Sequence, residues 1–499
     1  MATISLIHPY RFPRLGILEL LHSRRGSPFE RLPTEIIVDI LLRLDELVSL
    51  DCLLHASPVA YRIFDEFAVQ VTEGVLYNGY GPIRKGLHTQ EPDKPGVAIS
   101  FVPVQMYMAA MIRTGTLPLQ SLSEFVGRVI MPYHLDHATV AKAPIPFAPR
   151  SLPEGISPAV VRGLVATSRH LTALSVDCLN FYLGRFRAIR PSHPIQSARN
   201  FDKMPTEVRE NLDLEPWKDK PRGRKVPVQD VGPPTWLEEQ RVLRAFWSLQ
   251  IIVDLRKAAS ASRLGGWPSN DVEYHLQGWD ATDVWSLEEL LRPRMPRRML
   301  CDILASSTQY RETMAVTRYL DAVQKHRWPE PEPQPPQRLE VRREGPAPRR
   351  RQHDLERLGV PSEAAKKCVL LERLSYTSLG RFAPYNALGF ALWSDERMRA
   401  AQLLPSPSPP SDDGGGGDNG GDFQRRLVVY AWLSVLGKDD WRRLAEFRQE
   451  QRELVAALAQ IPGVRRLWAR FGSAMRSTEA EGRRFMQRKW APYLLIDID

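Results

Sequence analysis

Apolar residues recur at three- and four-residue spacing along almost the whole chain, and strict apolar–polar alternation is scarce. A 3.6-residue period buries one stripe of a helix, whereas a half-buried strand needs a period of two, so the pattern predicts an all-α fold. One clear start is Ser157-Pro158, an N-cap hydroxyl followed by a proline at the first helical position. The stripe Val161, Leu164, Val165, Leu171, Leu174, Cys178 and Phe181 follows it. Ser121/Glu124, Thr235/Glu238, Ser286/Glu289 and Thr478/Glu481 fit capping boxes, in which the hydroxyl accepts from an orphan amide and the carboxylate reaches back. Over 235–257, Val242, Phe246, Leu249 and Val253 form one apolar face and Leu243, Trp247, Ile251 and Leu255 the adjoining one. A stripe that wide predicts a helix sunk in the core, with Glu238, Glu239, Arg241 and Arg244 at its wetter end. Trp236, Trp247, Trp267, Trp279 and Trp285 read as part of a Trp-rich core in preference to a ligand cage.

Two tracts resist packing. Residues 329–353 mix proline with charge, and 404–423, with its run PSPSPPSDDGGGGDNGGD, holds almost no side chain capable of burial. Both are expected as disordered linkers. They divide the chain into a loose N-terminal extension (1–28), a small module (29–80), a helical body (97–327), a helical segment (354–403) and a C-terminal helical segment (424–499). Within the body, 191–234 is rich in Pro, Lys and Arg and is expected as an irregular excursion. No repeat period of a solenoid or propeller is present.

Chemistry is hard to place. The 68 basic and 58 acidic residues leave +10, a mild excess for 499 residues. The basic runs are Lys218–Lys225, Arg349–Arg351 and the C-terminal arginines from Arg465 to Arg488. They lie in connectors without aromatics or along amphipathic borders, which suits solvated tethers or import signals better than a nucleic-acid reader. The longest apolar runs, Val102–Ile112 and Leu427–Leu436, are about half a membrane span, so no membrane is expected. Cys52, Cys178, Cys301 and Cys368 form no metal or redox spacing and read as reduced, buried thiols of a cytoplasmic or nuclear protein. Cys52 falls inside an apolar helix, where a thiolate is disfavoured. His134 and His137 stand three apart with no further ligand signalled nearby, so no metal is expected. Gly79 and Gly81 lack the third glycine of a dinucleotide loop, and neither a P-loop nor a G-x-S-x-G elbow occurs. These readings point to no cofactor and to a protein that is not an enzyme.

The informative segment is 29–77, FERLPTEIIVDILLRLDELVSLDCLLHASPVAYRIFDEFAVQVTEGVLY. Pro33 suits a first helical turn, and Glu35 lies there against the positive end of the helix dipole. Leu32, Ile36, Ile37, Ile40, Leu41 and Leu44 then mark a broad apolar face. A second short helix carries Leu47, Leu50, Leu53 and Leu54 on one side, and Ser57-Pro58 opens a third with Ile63, Phe67 and Val71 at four-residue steps. Three short helices cannot bury so much Leu and Ile among themselves, so part of that face must meet the rest of the chain or another protein.

The run Leu32-Pro33-Thr34-Glu35-Ile36-Ile37, then Ile40-Leu41 and Leu44, with the Leu-rich second helix behind it, resembles an F-box. The resemblance implies a three-helix hook that docks on the Skp-type adaptor of a cullin-RING ubiquitin ligase, while the remaining chain recruits a substrate protein. By position it implies that Leu32 and Pro33 insert into the adaptor. Ile36, Ile40 and Leu44 would continue the contact or fix the hook, Leu50, Leu53 and Leu54 would pack the second helix, and all eight residues are expected in the adaptor-binding set. Many F-boxes carry Ser/Cys-Arg-x-Trp entering the third helix; this chain has Ser57-Pro58-Val59-Ala60-Tyr61, with Tyr61 the nearest aromatic. The stretch Trp236–Trp247 is also similar to long fungal F-box proteins whose helical body has no assigned activity. Two other outcomes stay open: a helical scaffold whose hook packs internally, and a basic nucleic-acid binder.

Overall fold

The computed structural model describes residues 28–80, 101–125, 149–193, 224–269, 308–325 and 388–404, with a few isolated residues besides. Among them the fold is helical, as the three-and-four periodicity predicts. A 3-10 turn over Pro28–Arg31 leads into α1 (Thr34–Leu42), α2 (Leu47–Ala56) and α3 (Pro58–Tyr80). The described part of the body holds α4 (Phe101–Thr114), the short α5 (Leu122–Phe125), α6 (Pro158–Ala188), α7 (Trp236–Ser260) and α8 (Thr308–Lys325), and the 354–403 segment holds α9 (Asp395–Ala400). Among the described residues extended pairing is confined to Ser192–His193 (β1) against Arg224–Lys225 (β2), antiparallel, which brings the start of the 191–234 excursion against its later part.

Helix starts follow the local chemistry. At α6 the Ser157 hydroxyl accepts from the Val160 amide (3.4 Å), with Pro158 next to it where a missing N–H costs nothing. At α7 the capping box is complete: Thr235 Oγ1 accepts from the Glu238 amide (3.3 Å) and Glu238 Oε2 from the Thr235 amide (2.7 Å). Ser121 Oγ accepts from the Glu124 amide (3.0 Å), but the Glu124 carboxylate takes the Gln120 amide instead of closing the box. The Ser286/Glu289 and Thr478/Glu481 pairs lie outside the described residues.

The two apolar faces of α7 are both buried, packed against α4, α6 and α8. Its charges are not at a wet end, contrary to the expectation from sequence. Glu238, Arg241 and Arg244 are at most 3% exposed. Arg244 grips Glu312 of α8 through Nε (3.0 Å) and Nη2 (2.6–2.7 Å), and Arg241 Nη1 donates to the Trp393 carbonyl (2.8 Å). Arg397 of α9 forks onto Glu238 through Nε and Nη2, both at 3.0 Å, and donates to the Gly232 and Pro233 carbonyls. The physical reason is coverage: with neighbours on every side, polar positions of α7 are enclosed too, and each buried charge needs a partner from another segment.

Residues 388–404 join the same core. Phe390, Leu392, Trp393 and Leu403 are fully buried, and the Trp393 ring centroid lies 5.6 Å from that of Phe186 on α6. Gly389, at φ +69°, lets the backbone run so close to Tyr182 that a Cβ would lie 2.7 Å from its ring. Trp247 and Trp267 are core residues as expected, whereas Trp236, at the start of α7, is only half-buried and belongs to neither buried cluster of the described residues. A smaller cluster, Met108, Ile112, Leu122, Phe125, Leu255 and Trp267, fills the far end between α4, α5 and α7.

Several expectations fall outside the described residues: the extension before residue 28, the 329–353 linker, nearly all of 404–423 and 424–499, and the interior of the 191–234 excursion. So do His134, His137, Trp279, Trp285, Cys301, Cys368 and the basic runs beyond Lys225. No helix among the described residues is long and apolar enough to cross a membrane.

Candidate interaction surface

The surface begins where the chain turns from the 3-10 segment into α1. The Leu32 amide donates to the Phe29 carbonyl (3.2 Å), and the Pro33 carbonyl accepts from the Ile36 and Ile37 amides (3.1 and 3.2 Å). Pro33 is the N-cap residue of α1, one position earlier than the sequence suggests, at φ −57° and ψ 148°. Its ring presets φ, and the Leu32-Pro33 step is held extended at the helix mouth.

From that mouth α1 shows two apolar faces. Ile37 and Leu41 are fully buried in the shared core, while Ile36 is 48% exposed, Leu32 37% exposed, and Pro33 lies on the surface beside them. Ile40 and Leu44 are half-buried between the two faces. Successive helical residues turn by about 100°, so Ile36 cannot enter the core with Ile37 and Leu41 while α3 occupies only one side. Leu32, Pro33 and Ile36 thus form an apolar ridge that the described parts of the chain leave open.

The ridge rests on α3, which is 23 residues long and not the short helix expected, with one non-helical residue at Phe67 (φ −116°, ψ 24°). Two glycines allow the close approach. A Cβ at Gly74 would lie 2.8 Å from the Leu42 side chain, and one at Gly79 would collide with the Asp45 carbonyl oxygen. Between them Asn78 Nδ2 donates to the Leu42 and Leu44 carbonyls (2.6 and 3.1 Å), capping the end of α1. Ser57, expected to open this helix, does so: its hydroxyl accepts from the Ala60 amide at 3.2 Å.

α2 lies between α3 and α6. Leu50 and Leu54 are buried there and Leu53 is half-buried, so Leu50 and Leu54 do not belong to a surface that can touch a second protein. They pack α2 onto its own chain. Cys52, two residues and about 200° round the helix from Leu50, is exposed, which corrects its expected burial. Cys178 in α6 is buried, and burial with the Asp177 carboxylate beside it pushes its thiol well above the ordinary range.

The hook is tied to α6 by ion pairs that no local spacing announces. Arg169 Nη1 donates to Asp51 Oδ2 on α2 (2.8 Å). Arg162 pairs with Asp65 on α3 and lies 4.6 Å over the ring of Tyr61. These partners are separated by 118 and 97 residues, so only tertiary structure brings them together. No group of three or more His, Cys, Asp or Glu side chains among the described residues is arranged to hold a metal ion. No family model, curated protein or solved structure matches this chain.

Proposed function

We propose that this chain is an F-box-type receptor that binds an Skp-type adaptor through the ridge Leu32, Pro33 and Ile36. The helical body would then hold a substrate protein for a cullin-RING ubiquitin ligase. The observation that carries the reading is the split of α1: Ile37 and Leu41 at 0% exposure and Ile36, one residue away, at 48%. Full burial of a Leu or Ile side chain contributes about 1.5–3 kcal/mol, so Ile36, half covered already, has about 1 kcal/mol still to gain on docking. The Leu32-Pro33 step is extended and tied to Phe29, so little backbone entropy is lost when it inserts. Ile40 and Leu44 border the ridge and would close its edge.

A second reading has its own observation. The inner face of the hook shares one core with α6 and α7, as a scaffold helix pair would. The two readings part on adaptor capture. With purified Skp-type adaptor, the full chain is retained in a pull-down and the Pro33→Ala/Ile36→Asp variant is not. Equal capture of both, or capture of neither, overturns the adaptor reading and leaves the scaffold.

A further inference from the structure

We infer that Arg162 and Arg169 of α6 are positioning residues that hold the ridge at one angle to the helical body, so that the hook and the body act as a single rigid bracket. The role given to that bracket rests on the adaptor reading above; the geometry itself does not.

The hook and α6 meet first through apolar side chains. Leu50 and Leu54 of α2 and Phe64, Val71 and Val75 of α3 belong to the same buried cluster as Val161, Leu164 and Leu171 of α6. Hydrophobic contact is non-directional: it fixes how closely elements approach better than it fixes their angle. Directional contacts along this seam supply the angle. Arg169 donates to Asp51, whose side chain is only 5% exposed and is also approached by His55 Nδ1 at 3.4 Å. Seven residues away, about 10 Å along the helix axis, Arg162 pairs with Asp65 and covers Tyr61. A third strap runs from the Leu152 amide, ahead of α6, to Glu73 Oε1 on α3 (2.9 Å).

Three attachments spread along one seam resist rotation as well as separation. The Asp51 pair is the strongest of them, because a carboxylate that deep cannot exchange its arginine for water cheaply. α1 inherits the restraint through Asn78 and the Gly74 and Gly79 contacts with the α1–α2 turn. In a receptor this rigidity sets how far from the adaptor, and in what direction, a bound target is presented.

The test measures distance in the full chain. Labels placed by unnatural amino acids at exposed positions 39 on α1 and 173 on α6 report the ridge-to-body separation by pulsed dipolar spectroscopy. Wild type gives one narrow distance distribution, and Arg162→Ala/Arg169→Ala loses that single peak while its helix content by circular dichroism is kept. The charge exchange Asp65→Arg/Arg162→Asp in the Arg169 wild-type background restores the narrow peak that Arg162→Ala broadens. A wild-type distribution already broad, or one left unchanged in the double alanine variant, overturns the positioning role. Should the double variant unfold, Arg162→Gln/Arg169→Gln decides: much of the side-chain length is kept while both ion pairs are lost, so the peak broadens, and an unchanged peak refutes the inference. Adaptor capture is scored separately, since the ridge residues are untouched in every variant, so failure of the adaptor reading leaves the distance result standing.

Discussion

Glu238 offers the sharpest perturbation. Its carboxylate is fully buried and accepts four hydrogen bonds: from the Thr235 amide (2.7 Å), the Ser394 amide (2.9 Å) and Arg397 Nε and Nη2 (3.0 Å each). Burial alone pushes the carboxyl up, but the Arg397 guanidinium and the two amides pull it further down, so it stays below its ordinary range and is ionised at neutral pH. Glu238→Gln keeps the shape and replaces one acceptor oxygen by a donor that faces other donors. It also strips the Arg397 guanidinium, 2% exposed, of its hydrogen-bonded carboxylate. Breaking a buried pair by removing one partner costs about 3–5 kcal/mol. Against a typical total stability of about 5–15 kcal/mol the variant stays folded but loses a large share of its margin. At about 2–4 °C per kcal/mol for a unit of this size, the melting temperature falls by roughly 10 °C. Thermal unfolding followed by tryptophan fluorescence reads it directly, because Trp393 lies against Arg397 at 5.1 Å. Arg397→Met loses a similar amount, and the double variant loses less than the sum by about 2–3 kcal/mol. A Glu238→Gln loss under about 1 kcal/mol, or strict additivity in the double variant, refutes the claim that this pair holds 388–404 in the core.

Two further outcomes follow from the seam and the thiols. Burial holds the His170 imidazole below its ordinary value of 6.5, so as pH falls through that value the unfolded chain takes up the proton first. Stability supplied by this group is therefore complete above about pH 6.5 and is lost as pH falls toward the lower folded-state value. Urea titrations at about pH 7.5 and about pH 5 should show wild type losing more stability on acidification than His170→Asn; the reverse order contradicts the sign. Maleimide labelling of the native chain, read by peptide mass, modifies Cys52 quickly and spares Cys178 until denaturant is added. Labelling of Cys178 at the rate of Cys52 would mean that α6 does not pack as described.

Much of the helical architecture was legible because its causes are local. Pro33, Pro58 and Pro158 each stand at or beside a helix start, and the Thr235/Glu238 box closes within four residues of chain. The apolar period of α6 likewise needs no partner to be seen, since it reflects the helix's own pitch. The ridge was half legible. Leu32, Pro33 and Ile36 stand out in the sequence with Ile40 and Leu44, but the same resemblance adds Leu50 and Leu54, which the chain keeps for itself. Periodicity marks which residues share a face and is silent on whether the face meets its own protein or another.

By itself, then, the sequence determined helix positions, their starting signals and the existence of an apolar hook near residue 32, all consequences of backbone pitch and the orphan amides of a first turn. Only the tertiary structure decided that Glu238, Arg241 and Arg244 are enclosed, that Arg397 and Glu312 come to meet them, and that Asp51 and Asp65 are claimed by α6. Those pairings join residues far apart along the chain, and whether a charge ends in water or in a buried pair depends on which distant segment happens to cover it. Coverage is a property of the packed molecule, so it is written in no window of the sequence.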